Sequence, residues 1–218
     1  MEKNIIKSDT VHVVKNVFSD DLQNELKESS DKHFEHNLLH SDMIEVTKCI
    51  IDCHGLALSP SSYFPYAERC WNIFCLKIKH HVLEYSKSIG IDESLIVPHS
   101  CWGERTKLKP TKNDSAYKVY HEQFRLVDDD WLKKHMIRSV YYLKNDTTQM
   151  GTDIIIGNKI KTIPGEQNSL AIFNGGSYPC SNKFLVGSAY GYTDFVKYNI
   201  VFDWYINIPF GVPDWVLP

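Results

Sequence analysis

The sequence predicts an α+β fold in which helices come first and antiparallel strands follow. Apolar residues recur at helical spacing over residues 65–89, and Gly90 ends that stretch. After Gly90 the apolar residues fall into short alternating runs that turn residues separate, which is typical of strands. Helices and strands that are segregated along the chain indicate the α+β class rather than an alternating α/β fold.

The N-terminal part predicts one strand and three helices. Residues 11–14 are rich in β-branched side chains and predict the strand. Ser19 is placed to cap the first helix, whose first turn carries Asp20 and Asp21, where they oppose the helix dipole. Residues 43–53 predict a second, weaker helix. Pro65 opens the third and longest helix.

Seven strands are predicted after Gly90, at residues 95–97, 117–120, 137–143, 153–156, 159–163, 169–173 and 197–206. Gly157-Asn158 lies between two short apolar runs and predicts a hairpin turn. Residues 104–115 are polar and predict a mobile loop. A chain of 218 residues can bury a sizeable core, so we expect one domain.

Charge and composition narrow the function classes. The chain has 24 Lys and Arg against 27 Asp and Glu, so its net charge of −3 favours neither nucleic acid nor an anionic membrane as a partner. The sequence contains no run of about 20 apolar residues that could span a bilayer. The first residues lack the apolar core of a signal peptide, so we expect a cytoplasmic protein with reduced cysteines.

The six cysteines favour buried thiols over zinc. None of them forms the pair with a two-residue gap that zinc knuckles use. Cys70 and Cys75 fall on the apolar face of the long predicted helix, where a free cysteine acts as a small apolar side chain. A structural metal remains the alternative.

Two segments in the second half carry the motif information, and two short ones lie between them. The first is Tyr117-Lys-Val-Tyr-His121-Glu122-Gln123-Phe124, and the second runs from Ile163-Pro-Gly through Leu170-Ala-Ile-Phe173 to Tyr178-Pro179-Cys180, followed by Lys197-Tyr-Asn199. Between them lie Tyr142-Leu143-Lys144-Asn145 and Gly151-Thr-Asp-Ile. In this order, over residues 115–206, the segments resemble the prolyl-4-hydroxylase-like branch of the 2-oxoglutarate- and Fe(II)-dependent oxygenases.

The resemblance implies a double-stranded β-helix, a jelly-roll or cupin-like barrel, with the N-terminal helices packed outside. Residues 1–94 would then supply a strand and supporting helices, and residues 95–218 the barrel. It implies Fe(II) and 2-oxoglutarate as cofactors and hydroxylation of an unknown small-molecule or peptide substrate. The family binds iron with two histidines and one carboxylate.

The resemblance also assigns the site residues, and several depart from the family pattern. The metal positions are His121, Gln123 and Cys180, with Glu122 as an alternate to Gln123. Lys197 takes the position of the arginine that binds 2-oxoglutarate, with Asn199 and Tyr117 beside it. Each has an ordinary interpretation: His121 as a hydrogen-bonding strand residue, Cys180 as a plain thiol, Lys197 as an exposed strand lysine.

Two function classes follow from this pattern. The first is a 2-oxoglutarate-dependent dioxygenase. The alternative is a non-catalytic barrel that acts as a binding or scaffold module, because a neutral amide at Gln123 does not replace the charge of a carboxylate. Zinc held by His, Cys and a carboxylate is a third, less favoured interpretation. His40-Ser-Asp42 and His33-Phe-Glu35 also match the iron-binding spacing, but we set them aside because they fall in the N-terminal part that predicts helices.

Overall fold

The computed structural model describes residues 11–34, 39–40, 44–51, 68–108, 118–121, 135–145, 151–156, 158–175, 180–186 and 196–207. The helices are α1 (Asp20–Phe34) and α2 (Glu68–Ser88). The strands are β1 (His12–Lys15), β2 (Leu39–His40), β3 (Ile44–Ile51), β4 (Ile96–Leu108), β5 (Lys118–His121), β6 (Met136–Asn145), β7 (Thr152–Ile156), β8 (Lys159–Ile163), β9 (Ser169–Asn174), β10 (Cys180–Val186) and β11 (Val196–Ile206).

The strands form two antiparallel sheets. The large sheet has the order β1-β9-β6-β11-β4-β3-β2, and the small sheet has the order β5-β10-β7-β8. Every strand pairing in the described part is antiparallel. Consecutive strands often lie in different sheets, so the chain passes repeatedly from one sheet to the other. Neither helix of the described part has the length and apolar character that crossing a bilayer requires.

The two faces of the large sheet bury different cores. Along β9, Leu170 and Ile172 pack with the helices, while Ala171 and Phe173 pack toward the small sheet. This follows from the two-residue period of a strand. The outer core takes Ile78, Val82 and Tyr85 from α2, at helical spacing. The inner core joins Val140, Tyr142, Ala171, Phe173 and Val201 of the large sheet to Ile154 and Ile163 of the small one.

Most elements predicted from the sequence are confirmed, within a few residues at their ends. The long helix packs on the outer face of the large sheet, and Gly90 follows it with a φ of 80°, a conformation that suits glycine at a helix end. Cys75 is a buried thiol, as the apolar helix face predicts. Pro65 and the other residues before Glu68 in the predicted helix lie outside the described residues.

Three predictions about elements were wrong. Residues 44–51 form β3, a strand paired with β4, and not a helix. Apolar and polar residues alternate in Ile44-Glu-Val-Thr, and pairing with β4 stabilises the strand. Residues 104–108 belong to β4 and not to a loop. His40 lies in β2, so the reason for setting it aside was mistaken, although β2 is the far edge of the large sheet.

Candidate anion pocket between the two sheets

Lys197 is a buried charged group between the two sheets. Lys197 lies near the start of β11 and is 0% exposed. Its interpretation as an exposed strand lysine was therefore wrong. Its Nζ donates a hydrogen bond of 2.6 Å to the carbonyl oxygen of Gly151, which immediately precedes β7 in the small sheet. Lysine is rarely buried because an ammonium loses its hydration there, so its surroundings must supply polar partners.

The Tyr142 ring lies near this ammonium and leads to a pair of hydrogen-bonded hydroxyl groups. The Nζ of Lys197 is 5.9 Å from the centre of the Tyr142 ring. The Tyr142 hydroxyl donates a hydrogen bond of 2.7 Å to Oγ1 of Thr152, the first residue of β7. A threonine hydroxyl that accepts one hydrogen bond still carries its own proton, which it can donate to an anion. Tyr142 and Thr152 are both buried, so the pair belongs to the interior.

Asn199 adds an amide to the same space. It lies two residues after Lys197 on the same strand face and is only 1% exposed. The large-sheet register places it opposite Tyr142. Within the described part of the chain, its Oδ1 has no hydrogen-bond partner. A half-turn of the amide exchanges Oδ1 for Nδ2, so Asn199 can present either an acceptor or two donors to a ligand.

An ammonium, a hydroxyl proton and an amide group that share one buried space match the needs of a carboxylate. A carboxylate has two oxygens that accept several hydrogen bonds, and bonds from charged donors are the strongest of these. The opposite charge also offsets part of the cost of burying the ammonium. The pocket therefore has the chemistry of a site for an organic acid.

The structure places the predicted metal positions only through their backbone. His121 is the last residue of β5 and pairs with Lys183 of β10. Cys180 is the first residue of β10 and pairs with Ile154 of β7. The side chains of His121 and Cys180, together with Tyr117, Glu122 and Gln123, lie outside the described residues. The convergence of these side chains with Lys197 on one cavity therefore stays a prediction. Among the side chains that the structure describes, no three of His, Cys, Asp or Glu form a metal-binding group.

Sequence reasoning missed three members of the pocket: Gly151, Tyr142 and Thr152. All three stand in segments that the resemblance singled out, but without a role. Tyr142 could have been found from its two-residue alternation with Val140, which places it on the inner face of β6. Gly151 and Thr152 meet Lys197 and Tyr142 through contacts between the two sheets, which the pattern of one sequence does not reveal.

A second charged pair lies at the other end of β6 and β11. Nε of Arg138 lies 2.7 Å from Oδ1 of Asp203, and its second guanidinium nitrogen lies 2.8 Å from Oδ2. The side chains are 14% and 8% exposed. This two-point geometry fixes Arg138 against the neighbouring strand. Since Val140 and Val201 lie between, the pair is separate from the Lys197 pocket.

Comparison with solved structures identifies the fold. A prolyl-4-hydroxylase from Pseudomonas putida is similar over 91% of this chain and 92% of its own, with a TM-score of 0.53 and 12% identity. The viral collagen prolyl hydroxylase of Paramecium bursaria Chlorella virus-1, solved as a 2-oxoglutarate complex, is similar over 92% and 99%, with a TM-score of 0.54 and 12% identity. The chain has the prolyl-4-hydroxylase-like fold of the 2-oxoglutarate/Fe(II) oxygenases.

Other solved structures of this fold extend beyond prolyl hydroxylases. HygX of Streptomyces hygroscopicus, solved with nickel and 2-oxoglutarate bound, is similar over 89% of this chain and 82% of its own, with a TM-score of 0.52 and 9% identity. No family model and no curated protein sequence matches the chain. At these identities the likeness concerns the fold, so the activity must be argued from the residues of the pocket.

Proposed function

We propose that this chain binds 2-oxoglutarate between the two sheets of a double-stranded β-helix, with Lys197 anchoring the carboxylate that is remote from the 2-oxo group. The observation that carries the proposal is the fully buried ammonium of Lys197 between the sheets. Thr152 and Asn199 would complete the carboxylate site: the hydroxyl donates its proton, and the amide of Asn199 turns its Nδ2 toward the ligand. Lysine acts here as a point donor, without the planar fork of an arginine.

The enzymatic form of the proposal is hydroxylation of an unknown small-molecule or peptide substrate by O2: one oxygen atom enters the substrate, and the other enters succinate as 2-oxoglutarate loses CO2. Fe(II) would supply the activation of oxygen. His121, Cys180 and Gln123 or Glu122 would hold it, but this donor set departs from two histidines and one carboxylate. We therefore assign no catalytic step to the metal positions. The cytoplasm is the compartment that we propose for either form.

The second candidate is a non-catalytic module that keeps the anion pocket and has lost iron. The residues at the metal positions favour it, because Gln123 brings no charge and Cys180 replaces a histidine. The two candidates share the pocket at Lys197 and differ only at the metal positions, so they can be tested separately.

The first test measures binding of 2-oxoglutarate by the full chain. A ligand that binds only the native state at one hundred times its Kd adds about 2.7 kcal/mol of stability, which corresponds to a rise in Tm of about 5–10 °C for a chain of this size. Lys197→Met keeps an unbranched apolar side chain and removes the ammonium, so it should abolish this rise. A wild-type Tm that 2-oxoglutarate does not change would contradict the proposal.

The second test separates the two candidates. Wild-type protein and Gln123→Asp are loaded anaerobically with Fe(II), and metal content and succinate formation on exposure to oxygen are measured. The dioxygenase form predicts succinate from wild-type protein and tighter iron binding by Gln123→Asp, because the carboxylate restores charge at the metal position. Binding of 2-oxoglutarate without succinate in either protein would favour the non-catalytic module.

A further inference from the structure

Gly151 stands where the backbones of β7 and β8 come too close for a side chain. A Cβ on Gly151 would overlap the carbonyl oxygen of Ile163 and would lie 2.9 Å from the nitrogen of Gly165. Both contacts are with backbone atoms, which cannot rotate away as a flexible side chain can. Glycine at such a position marks a close approach of two backbones.

The carbonyl oxygen of Gly151 also meets the Lys197 ammonium. Lys197 belongs to the large sheet, and Gly151 immediately precedes β7 of the small sheet, so their hydrogen bond of 2.6 Å crosses the space between the sheets. A lysine side chain has four flexible carbons, and a fixed acceptor is needed to hold its ammonium in one place.

Hydrogen bonds hold two residues beside Gly151: Thr152, which follows it in the chain, and Gly165, which lies against it in space. Thr152 accepts the hydrogen bond from the Tyr142 hydroxyl, which ties the start of β7 to β6. Gly165, which follows β8, accepts a hydrogen bond of 2.7 Å from Nδ2 of Asn145 at the end of β6. The carbonyl of Gly151 therefore belongs to a hydrogen-bonded frame that both sheets build.

We infer that Gly151 is a positioning residue for the ligand: its carbonyl orients the Lys197 ammonium toward the carboxylate, and only glycine allows that carbonyl to reach it. The inference rests on the proposed binding of 2-oxoglutarate and adds a residue that never touches the ligand. It implies that affinity depends on the backbone at residue 151 as well as on the charge of Lys197.

The test compares Gly151→Ala with a matched glycine. Gly175→Ala also forces a Cβ into a close contact, 2.5 Å from Cβ of Arg138. The N–H of Gly175 donates a hydrogen bond to the carbonyl of Met136, which lies at the end of β6 opposite the pocket. Binding of 2-oxoglutarate and of glutarate is measured by calorimetry, well below the Tm of each variant. Glutarate lacks the 2-oxo group and so reports on the anchored carboxylate without help from a metal.

We expect Gly151→Ala to weaken both ligands about tenfold or more, which is the loss of one hydrogen bond to a charged group. Gly175→Ala should lower the Tm and leave both affinities within about twofold, well below the tenfold step of one such bond. A structural role alone would lower the Tm of both variants without this difference in affinity. Unchanged or tighter binding by Gly151→Ala would overturn the inference.

A second variant covers the case in which Gly151→Ala does not fold. Replacing Thr152 with its α-hydroxy acid turns the Gly151 carbonyl into an ester carbonyl, a weaker acceptor, and adds no Cβ. It should weaken both ligands in the same direction, and unchanged affinity would overturn the inference. If wild-type protein binds neither ligand, the proposed function fails and the inference falls with it. A different result separates the two: wild-type protein binds 2-oxoglutarate and Lys197→Met does not, but the variants at residues 151 and 152 bind it as tightly as wild type. In that case the proposed function stands and only the inference fails.

Discussion

Asn168 joins the N-terminal segment to the turn before β9, and its replacement should cost several kcal/mol. It is buried, with a φ of 60°. Its Oδ1 accepts hydrogen bonds from the Phe18 nitrogen at 3.0 Å and the Tyr141 hydroxyl at 3.1 Å, and its Nδ2 donates one to the Phe18 carbonyl at 2.8 Å. Asparagine tolerates a positive φ better than most residues, so one side chain meets both demands.

The magnitude follows from these contacts. Asn168→Gly keeps the positive φ and removes three hydrogen bonds worth about 1 kcal/mol each, so unfolding should require about 3 kcal/mol less. Asn168→Ala adds about 1 kcal/mol for a Cβ in the left-handed region, for a total of about 4 kcal/mol. A typical domain has only about 5–15 kcal/mol of stability, so both losses are measurable by urea denaturation.

Asn16 provides the matched control. It has a φ of 53° but is exposed, and its side chain makes no hydrogen bond with the described part of the chain. Asn16→Gly should change the free energy of unfolding by less than about 0.5 kcal/mol, and Asn16→Ala should lower it by about 1 kcal/mol. The reasoning is refuted if Asn168→Gly costs less than about 1 kcal/mol, because its three bonds would then contribute nothing net.

Two further predictions concern stability. Burial lowers the pKa of His81 below its usual 6.5, against the opposing effect of its hydrogen bond to Glu84. Between the lowered pKa of His81 in the folded chain and its usual 6.5, the unfolded chain binds more protons than the folded one. The free energy of unfolding should therefore fall as the pH drops below about 6.5. His81→Gln should flatten that part of a plot of the urea midpoint against pH. Asp203→Asn breaks the Arg138–Asp203 pair and should lower the free energy of unfolding by about 2–4 kcal/mol. The double variant Arg138→Met/Asp203→Leu should lower it by less, because it leaves no buried charge without its partner. Equal losses of stability in urea unfolding would contradict this reasoning.

The order of elements could be predicted because local patterns decide it. The long helix and strands such as β8 and β9 have clear periods and clear turn residues, so they were found with nearly correct ends. The β3 strand was missed because its sequence satisfies helical and strand spacing equally, and only its pairing with β4 decides between them. The β10 strand was missed because Cys180-Ser-Asn-Lys183 has no apolar alternation.

The pocket could be predicted only in part, for a related reason. Lys197 and Asn199 were found because a family motif names their positions on one strand. Gly151 and Thr152 contribute through hydrogen bonds between the two sheets. The bond from Lys197 to Gly151 joins residues 46 positions apart, and the bond from Tyr142 to Thr152 joins residues 10 positions apart. No local pattern encodes that distance. Burial of Lys197 likewise depends on which strands flank β11, namely β4 and β6.

The Lys197 frame and the predicted metal positions use different residues, although β7 and β10 are neighbouring strands of the small sheet. Lys197 and Tyr142 belong to the large sheet and meet Gly151 and Thr152 at the start of β7. The predicted metal positions lie at the end of β5, in the residues that follow it and at the start of β10. None of the hydrogen bonds that build the Lys197 frame involves a predicted metal position. The proposed binding of 2-oxoglutarate at this frame does not require iron, so an assay of 2-oxoglutarate affinity alone does not decide between enzyme and binding module.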